Sequence, residues 1–195
     1  MDPNVIARAY ALIGEKTPLV SDCGALCGAA CCQPDEDGQG GVYLCPGEES
    51  LLDGAPWGQV QADDFAPMLV CSGPCDRDRR PLACRIFPLT PVKNDAGKWT
   101  VRVDVRARAM CPLTRSGLRG LDPEFVRAVR RAVRELASDP DGEAFLLRWA
   151  ALEQEYHWTH SGWDEIGHER PARSAGAFGR RGFGSGGAAA AAGRL

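Results

Sequence analysis

Apolar residues near the start of the chain recur at the spacing of an α-helix. The apolar positions are Val5, Ile6, Ala9, Leu12 and Ile13. These intervals place the side chains on one helical face. The preceding pair, Asp2 and Pro3, is typical of a helix cap followed by a first-turn proline. The pattern predicts an amphipathic helix over residues 2–16.

A different pattern, with apolar and polar residues in strict alternation, covers residues 99–106. Alternation of this kind is typical of a half-buried β-strand. The turn-forming sequence Asn94–Gly97 precedes it, so Leu89–Lys93 is predicted to be the partner strand of a hairpin. Gly41–Leu44 is predicted to form another short strand.

Two helical patterns occupy residues 122–160. The first begins at Asp122 and Pro123, and the second follows the break at Ser138–Gly142. The apolar positions are Phe125, Val126, Val129, Ala132, Val133 and Leu136 in the first helix, and Phe145, Trp149, Leu152 and Tyr156 in the second. The polar face of the first helix carries four arginines. Because the connection is short, we expect an antiparallel helical hairpin.

The middle of the chain, residues 20–115, is rich in Gly, Pro and Cys and has little apolar periodicity. Such a stretch needs a constraint beyond burial, and metal–thiolate bonds would supply one. We therefore predict an α+β fold, in which a small, irregular, metal-stapled cysteine region with a short β-hairpin packs against helices. This single domain spans residues 1–166. Residues 167–195 are low-complexity Gly/Ala/Arg sequence, predicted to be a disordered tail.

Length, composition and charge exclude several classes of protein. The chain has 195 residues, 44% of them hydrophobic, and no apolar run of the roughly 18 residues that a membrane helix needs. It also lacks a secretory signal pattern, so we expect a cytoplasmic protein that does not associate with membranes. Residues 1–70 carry 11 acidic and 2 basic side chains, a balance that disfavours nucleic acid as a partner. A protein partner is compatible with the Arg-rich helix and the basic tail.

Cysteine is the unusual component, with 9 residues in two groups and two outliers. Clustered thiols in a reducing compartment are more typical of metal sites than of disulfides. Arginine beside a thiolate lowers its pKa and offsets the charge of a metal–thiolate cluster. Eight cysteines are therefore predicted metal ligands: Cys23, Cys27, Cys31, Cys32, Cys71, Cys75, Cys84 and Cys111. For the ninth, Cys45, core packing is an equal alternative.

The cysteine spacing excludes several familiar sites. Zinc ribbons and thioredoxin-like centres require C-x2-C, and bacterial ferredoxins require C-x2-C-x2-C-x3-C-P, neither of which occurs. The radical-SAM spacing C-x3-C-x2-C fails because the third cysteine, Cys31, falls one residue late. A disulfide between Cys31 and Cys32, or a thiol relay, is an alternative to metal binding.

These residues together resemble a known family, the YkgJ-like cysteine-cluster proteins, which are described as zinc- or iron-chelating domains. The early run ending in Cys31 and Cys32 matches that family with one extra residue in its spacing, and the later cysteine pair matches as well. Residues 80–88, RPLACRIFP, match the family's "RPxxCRxFP" segment. The resemblance covers about residues 22–113. It implies a cysteine-ligated centre, an iron–sulfur cluster first and zinc second, and flagellin lysine methylases share a similar pattern.

Other chemistry-bearing residues have simpler explanations. His157 and His160 are three residues apart, but helix-end histidines account for them better than a metal site. Glu48 and Glu49 are explained by the acidic first turn of a helix rather than as a general base. The leading expectation is a metal-binding protein with a redox, sensing or modification-supporting role. The alternatives are a structural zinc interaction module and a methylase-like, metal-dependent enzyme, and no catalytic residue is identified.

Overall fold

The computed structural model describes residues 1–21, 23–33, 40–52, 54–71, 75 and 77–160, except for the side chains of 157–160. Within these ranges the chain has the predicted α+β architecture. The helices are α1 Pro3–Ile13, α2 Gly24–Cys27, α3 Leu82–Ile86, α4 Ala107–Met110, α5 Pro123–Leu136 and α6 Pro140–His160. The strands are β1 Gly41–Tyr43, β2 Gly58–Gln61, β3 Met68–Cys71, β4 Leu89–Lys93 and β5 Trp99–Val103.

Short 3₁₀ segments connect these elements. They cover Ala30–Cys32, Glu48–Leu51, Arg77–Arg79 and, with a kink, Pro112–Gly120. The predicted tail, residues 167–195, lies outside the described residues. Among the helices that the structure describes, none has the length and apolar character required to cross a bilayer.

Helix α1 confirms the first sequence pattern. The Asp2 carboxylate accepts a hydrogen bond from the Asn4 backbone N–H at 2.8 Å and so caps the helix. The helix ends at Ile13, earlier than predicted, because Gly14 adopts a φ of 52°, a conformation that favours glycine. The Gly14 N–H donates to the Tyr10 carbonyl at 2.8 Å and closes the last turn.

Helix α5 buries the apolar stripe that the sequence indicates, and it packs mainly against α1 and β5. Phe125 and Val129 are fully buried, and each such side chain contributes about 1.5–3 kcal/mol by leaving water. Arg8 of α1 pairs with Glu135 of α5 at 2.5 Å on the outer side of this contact. The helices α1 and α5 therefore form the central packed pair of the fold.

Helix α6 differs from the predicted helical hairpin. It packs mainly against β4 and has only a limited contact with α5, because α1 and β5 already cover the apolar face of α5. Phe145 and Trp149 of α6 are buried, but Tyr156 is 38% exposed. The predicted apolar stripe therefore serves as core only in the first half of the helix.

The β4–β5 hairpin forms as the alternation predicts. Its antiparallel register pairs Leu89 with Val103 and Lys93 with Trp99. The Asn94 side-chain oxygen accepts hydrogen bonds from backbone N–H groups within the connecting turn. The turn chemistry and the buried side chains of Trp99 and Val101 thus fix one register.

A second, three-stranded antiparallel sheet has the order β1-β3-β2. Strand β1 was predicted from sequence, whereas β2 and β3 were not. Strand β2 is short and largely exposed, and β3 is an apolar run of four residues without alternation. Cys71, the last residue of β3, pairs with Gly58, so this sheet positions one of the predicted ligands.

A small hydrophobic core lies beneath this sheet. It consists of Leu44, Leu52, Trp57 and Leu69, and Cys71 and Cys75 pack against it. The cysteine region, which has little apolar periodicity, therefore does bury a small core of its own. Residues 20–115 contain apolar side chains that follow no regular spacing, and these side chains form a core once the sheet assembles.

Candidate functional site

Six of the eight predicted ligands line one cavity of about 190 Å³. These cysteines are Cys23, Cys27, Cys31, Cys32, Cys84 and Cys111. They come from α2 and the residue before it, from the following 3₁₀ turn, from α3 and from the end of α4. Since a water molecule needs only about 10–15 Å³ of such space, the cavity has room for a much larger group.

Glycine geometry accounts for the compact arrangement of the first cysteine group. Cys27 ends the single turn of α2, and Gly28 then takes a left-handed conformation with a φ of 60°. Ala29 is also left-handed, at 54°, and its carbonyl accepts a hydrogen bond from the Cys32 N–H at 2.7 Å. The chain therefore reverses, and Cys31 and Cys32 line the same cavity as Cys27.

The thiols of Cys31 and Cys32 form a hydrogen bond, with their sulfur atoms 4.0 Å apart. The hydrogen bond from Cys31 lowers the pKa of Cys32 to about 6, burial opposes this shift, and the charge of Arg80 adds to it. The same hydrogen bond, together with burial, raises the pKa of Cys31. Cys32 is thus the first of the pair to become a thiolate.

This asymmetry predicts an order of alkylation in protein that is reduced and treated with a chelator. At pH 7 we expect iodoacetamide to label the exposed Cys32 first, because a thiol with a pKa of about 6 is mostly thiolate there. Cys45 should react last, because it is fully buried. Peptide mass spectrometry over a time course measures the order. Faster labelling of Cys31 than of Cys32 would contradict this assignment.

The second cysteine group lies beside the first. Burial raises the pKa of Cys84, and the nearby charges of Cys71, Cys32 and Cys75 raise it further. Arg80 donates a hydrogen bond from Nε to the Cys75 sulfur at 3.4 Å. The two groups, some forty residues apart in the chain, therefore share one electrostatic environment.

Arg85, the arginine that follows Cys84, has a structural role. Its guanidinium donates to the carbonyls of Arg80 at 3.0 Å, Asp78 at 2.9 Å and Gly14 at 3.3 Å. It also lies 4.8 Å from the centre of the Tyr10 ring. These contacts fix the segment before α3 against the end of α1 and so hold one wall of the cavity.

Cys45 and Glu48 form a buried site away from the cavity. Cys45 is 1% exposed and belongs to the main hydrophobic core, and burial raises the pKa of its thiol. This location agrees with the packing alternative that the sequence left open. Glu48 and Glu49 occupy the acidic first turn of the 3₁₀ segment Glu48–Leu51, as predicted, but the Glu48 side chain is 0% exposed.

The Glu48 carboxylate joins three segments of the fold. It accepts hydrogen bonds from Tyr10 Oη at 2.5 Å, from the Leu82 N–H at 2.7 Å and from the Cys45 N–H at 2.9 Å. Burial raises its pKa, and these three hydrogen bonds oppose that shift. Because Leu82 begins α3, Glu48 holds in place the helix that carries Cys84. No sequence pattern indicated this role, since Tyr10 and Leu82 lie 38 and 34 residues away from Glu48 in the chain.

Substituting Tyr10 tests this network. Tyr10→Phe removes one hydrogen bond to a buried carboxylate, and we expect a loss of about 1–2 kcal/mol in the free energy of unfolding. Urea denaturation followed by circular dichroism measures the loss. A change below about 0.3 kcal/mol would show that the hydroxyl contributes nothing to stability.

The predicted metal site is not preformed. Among the residues that the structure describes, no group of three or more His, Cys, Asp or Glu side chains is arranged to hold a metal ion. The metal-stapled architecture therefore lacks support from the fold, and the small core and the Glu48 hydrogen bonds stabilise the cysteine region instead. The side chains of His157 and His160 lie outside the described residues.

Comparison of the chain with protein-family models, with curated proteins and with solved structures gives no match. The resemblance to the YkgJ-like proteins therefore stays a prediction from residues 22–113.

Proposed function

We propose that the protein binds a cysteine-ligated metal centre, an iron–sulfur cluster in preference to zinc, and that the centre serves a redox, sensing or modification-supporting role. The observation that carries the proposal is the shared cavity. Six cysteines from separate segments line it, and Cys71 and Cys75 lie close enough to affect the same thiols.

The donor chemistry of the cavity fits such a group. Thiolates are soft ligands that select iron–sulfur clusters and zinc over hard cations. Several thiolates in one site repel one another, and Arg80, hydrogen-bonded to the Cys75 sulfur, places a positive charge within electrostatic range of Cys32 and Cys84 as well. The sulfur atoms must move closer together to form a coordination shell, so metal binding is expected to tighten this region.

The residues around the cysteines have distinct tasks in this proposal. The cavity cysteines would hold the centre, and a bound iron–sulfur cluster would supply one-electron transfer. The apolar side chains of Leu26, Phe87 and Met110 line the cavity beside the sulfurs. Glu48 and Arg85 act at a distance by fixing the elements that carry Cys84.

The preference for iron over zinc, like membership of the YkgJ-like family, is part of the proposal. Eight candidate thiolates exceed the four that one tetrahedral zinc site uses. A closed four-thiolate zinc site would make the centre structural, because it leaves no position open for a substrate.

Purification without oxygen, followed by metal analysis and an absorption spectrum, tests this proposal. We expect bound iron and a broad absorption band near roughly 400 nm from thiolate-to-iron charge transfer. A colourless protein with stoichiometric zinc would refute the iron–sulfur assignment and support a structural zinc site. A well-folded protein that contains neither metal would refute both.

A further inference from the structure

A strongly basic groove runs along the solvent side of α5. Its lining residues are Lys16, Glu124, Arg127, Arg130, Arg131 and Arg134, around a volume of about 590 Å³. The four arginines fall at helical positions i, i+3, i+4 and i+7, so they share one face of the helix. Five cationic side chains and a single carboxylate therefore define the lining of this basic groove.

Among the residues that the structure describes, the arginines of the basic groove are only partly paired, and Arg134 donates from Nε to the Trp99 carbonyl at 3.2 Å. Glu124 pairs with Arg127 at 3.0 Å and with Lys16 at 2.9 Å, so one carboxylate is shared between two cations. The Nε of Arg130 is buried and has no hydrogen-bond partner in the described part of the chain. Since an unmet buried donor is unfavourable, Arg130 is better satisfied when an anion occupies the basic groove.

The basic groove and the cysteine cavity are neighbours. Lys16 lines both, and its flanking residues Thr17 and Pro18 line the cavity. A ligand lying along α5 and reaching Lys16 is therefore at the edge of the cavity. From Arg127 to Arg134 the helix rises about 10 Å, which corresponds to roughly three residues of an extended peptide.

We propose that the basic groove docks an acidic segment of a partner protein and brings that partner to the cysteine cavity. The partner's carboxylates pair with Arg127, Arg130 and Arg131, because the planar guanidinium group binds carboxylates in bidentate geometry. The binding of the acidic segment is argued from the charges of the groove alone. The further statement that this binding brings the partner to a functional metal centre rests on the proposed function.

The chemistry of the groove favours a protein segment over nucleic acid. The described lining contains no aromatic side chain on which a base could stack. The acidic surplus of residues 1–70 would also oppose a long polyanion, whereas a short acidic peptide needs to contact only the predominantly cationic groove.

A binding measurement with a defined probe tests the docking step. The probe is a short synthetic peptide of repeating Glu-Asp-Gly, and its neutral counterpart is Gln-Asn-Gly. We expect the full-length protein to bind the acidic peptide, with an affinity that falls as salt rises, and not to bind the neutral one. The double variant R127Q/R131Q should lose about tenfold in affinity.

A matched control separates the groove from net charge. R115Q/R119Q also removes two positive charges, but from exposed positions outside the groove. Its affinity for the acidic peptide should stay within about twofold of that of wild type. Equal losses in both variants would overturn the proposal, as would equal binding of the two peptides. Tighter binding of a single-stranded oligothymidine of the same charge would show a nucleic-acid surface instead.

Carbodiimide cross-linking tests the position of the docked segment. This reagent joins a carboxylate directly to a lysine amine, and we expect the acidic peptide to couple to Lys16. Lys93 and Lys98 flank the β4–β5 turn and serve as internal controls. Coupling at those lysines in preference to Lys16 would refute delivery to the cavity. Metal content is measured on the same samples, so that the docking proposal and the metal-centre proposal are tested separately. Protein that is free of metal but binds the peptide would refute the metal centre and leave the docking step supported.

Discussion

Replacing Cys84 by serine is expected to reduce the metal content of oxygen-free preparations to less than about one tenth of that of wild type. Cys84 lines the cavity, and its thiol lies within electrostatic range of Cys71, Cys32 and Cys75. It therefore lies within range of cysteines from both groups. A serine hydroxyl is a much poorer ligand than a thiolate for iron or zinc, so the centre should not assemble. Elemental analysis of the purified variant measures the loss.

Cys45→Ala is the matched control for this experiment. Cys45 is equally a cysteine, but it lies in the main core and lines no part of the cavity. We expect full metal content and a stability loss of about 1 kcal/mol from the small vacated volume. Full metal in Cys84→Ser, or loss of metal in Cys45→Ala alone, would contradict the assignment of the cavity cysteines as ligands.

Replacing Glu48 by alanine is expected to destabilise the fold by about 3–5 kcal/mol. The substitution removes a fully buried carboxylate and leaves the donors of Tyr10, Leu82 and Cys45 without an acceptor. Urea denaturation measures the loss. Glu49→Ala is the neighbouring control, and it should cost less than about 1 kcal/mol, because the Glu49 carboxylate accepts a local hydrogen bond from the Gly47 N–H, two residues away. Similar losses in the two variants would refute the special role of Glu48.

The protonation of Glu48 gives this site a pH dependence. Burial raises its folded-state pKa above the ordinary value of 4.5. Its titration therefore contributes stability below pH 4.5, and that contribution is lost as pH rises through the folded-state pKa. As pH rises through this range, the unfolding free energy of wild type should fall relative to that of Glu48→Gln. A difference that grows with pH would mean that the carboxylate is stabilised as an anion.

Local patterns predicted the regular elements well. The caps at Asp2 and Asp122, the turn at Asn94–Gly97 and the strand Leu89–Lys93 all lie where the sequence placed them. Each depends on neighbouring residues, for which short-range propensity and periodicity suffice. The helix α1 ends earlier than predicted, at Gly14, which takes a positive φ of 52°.

Long-range contacts were beyond the sequence patterns. Strands β2 and β3 form because they pair with each other and with β1, and neither has a clear periodicity of its own. Glu48 appeared to be an ordinary acidic residue, and only the fold brings Tyr10 and Leu82 to its carboxylate. The packing of α6 on β4 likewise depends on which face of α5 is already covered.

The sequence predicted which cysteines belong to the candidate site, but not how their sulfur atoms are arranged. Cysteine spacing suggested which thiols belong together, and six of them do line one cavity. Spacing could not reveal that Cys45 belongs to the core, because burial depends on the fold around it. Nor could it indicate that the sulfurs line the cavity walls without a preformed coordination group among the described residues.

X-ray absorption spectroscopy at the metal edge tests the central claim most directly, because it reports the atoms bound to the metal. Protein purified without oxygen should give a first shell of sulfur alone, at a distance of about 2.3 Å for zinc and in the similar range of iron–thiolate bonds for iron. The same measurement on Cys84→Ser should give no such shell. A first shell of nitrogen and oxygen, or a metal content unrelated to the cavity cysteines, would contradict a thiolate-ligated centre in this cavity.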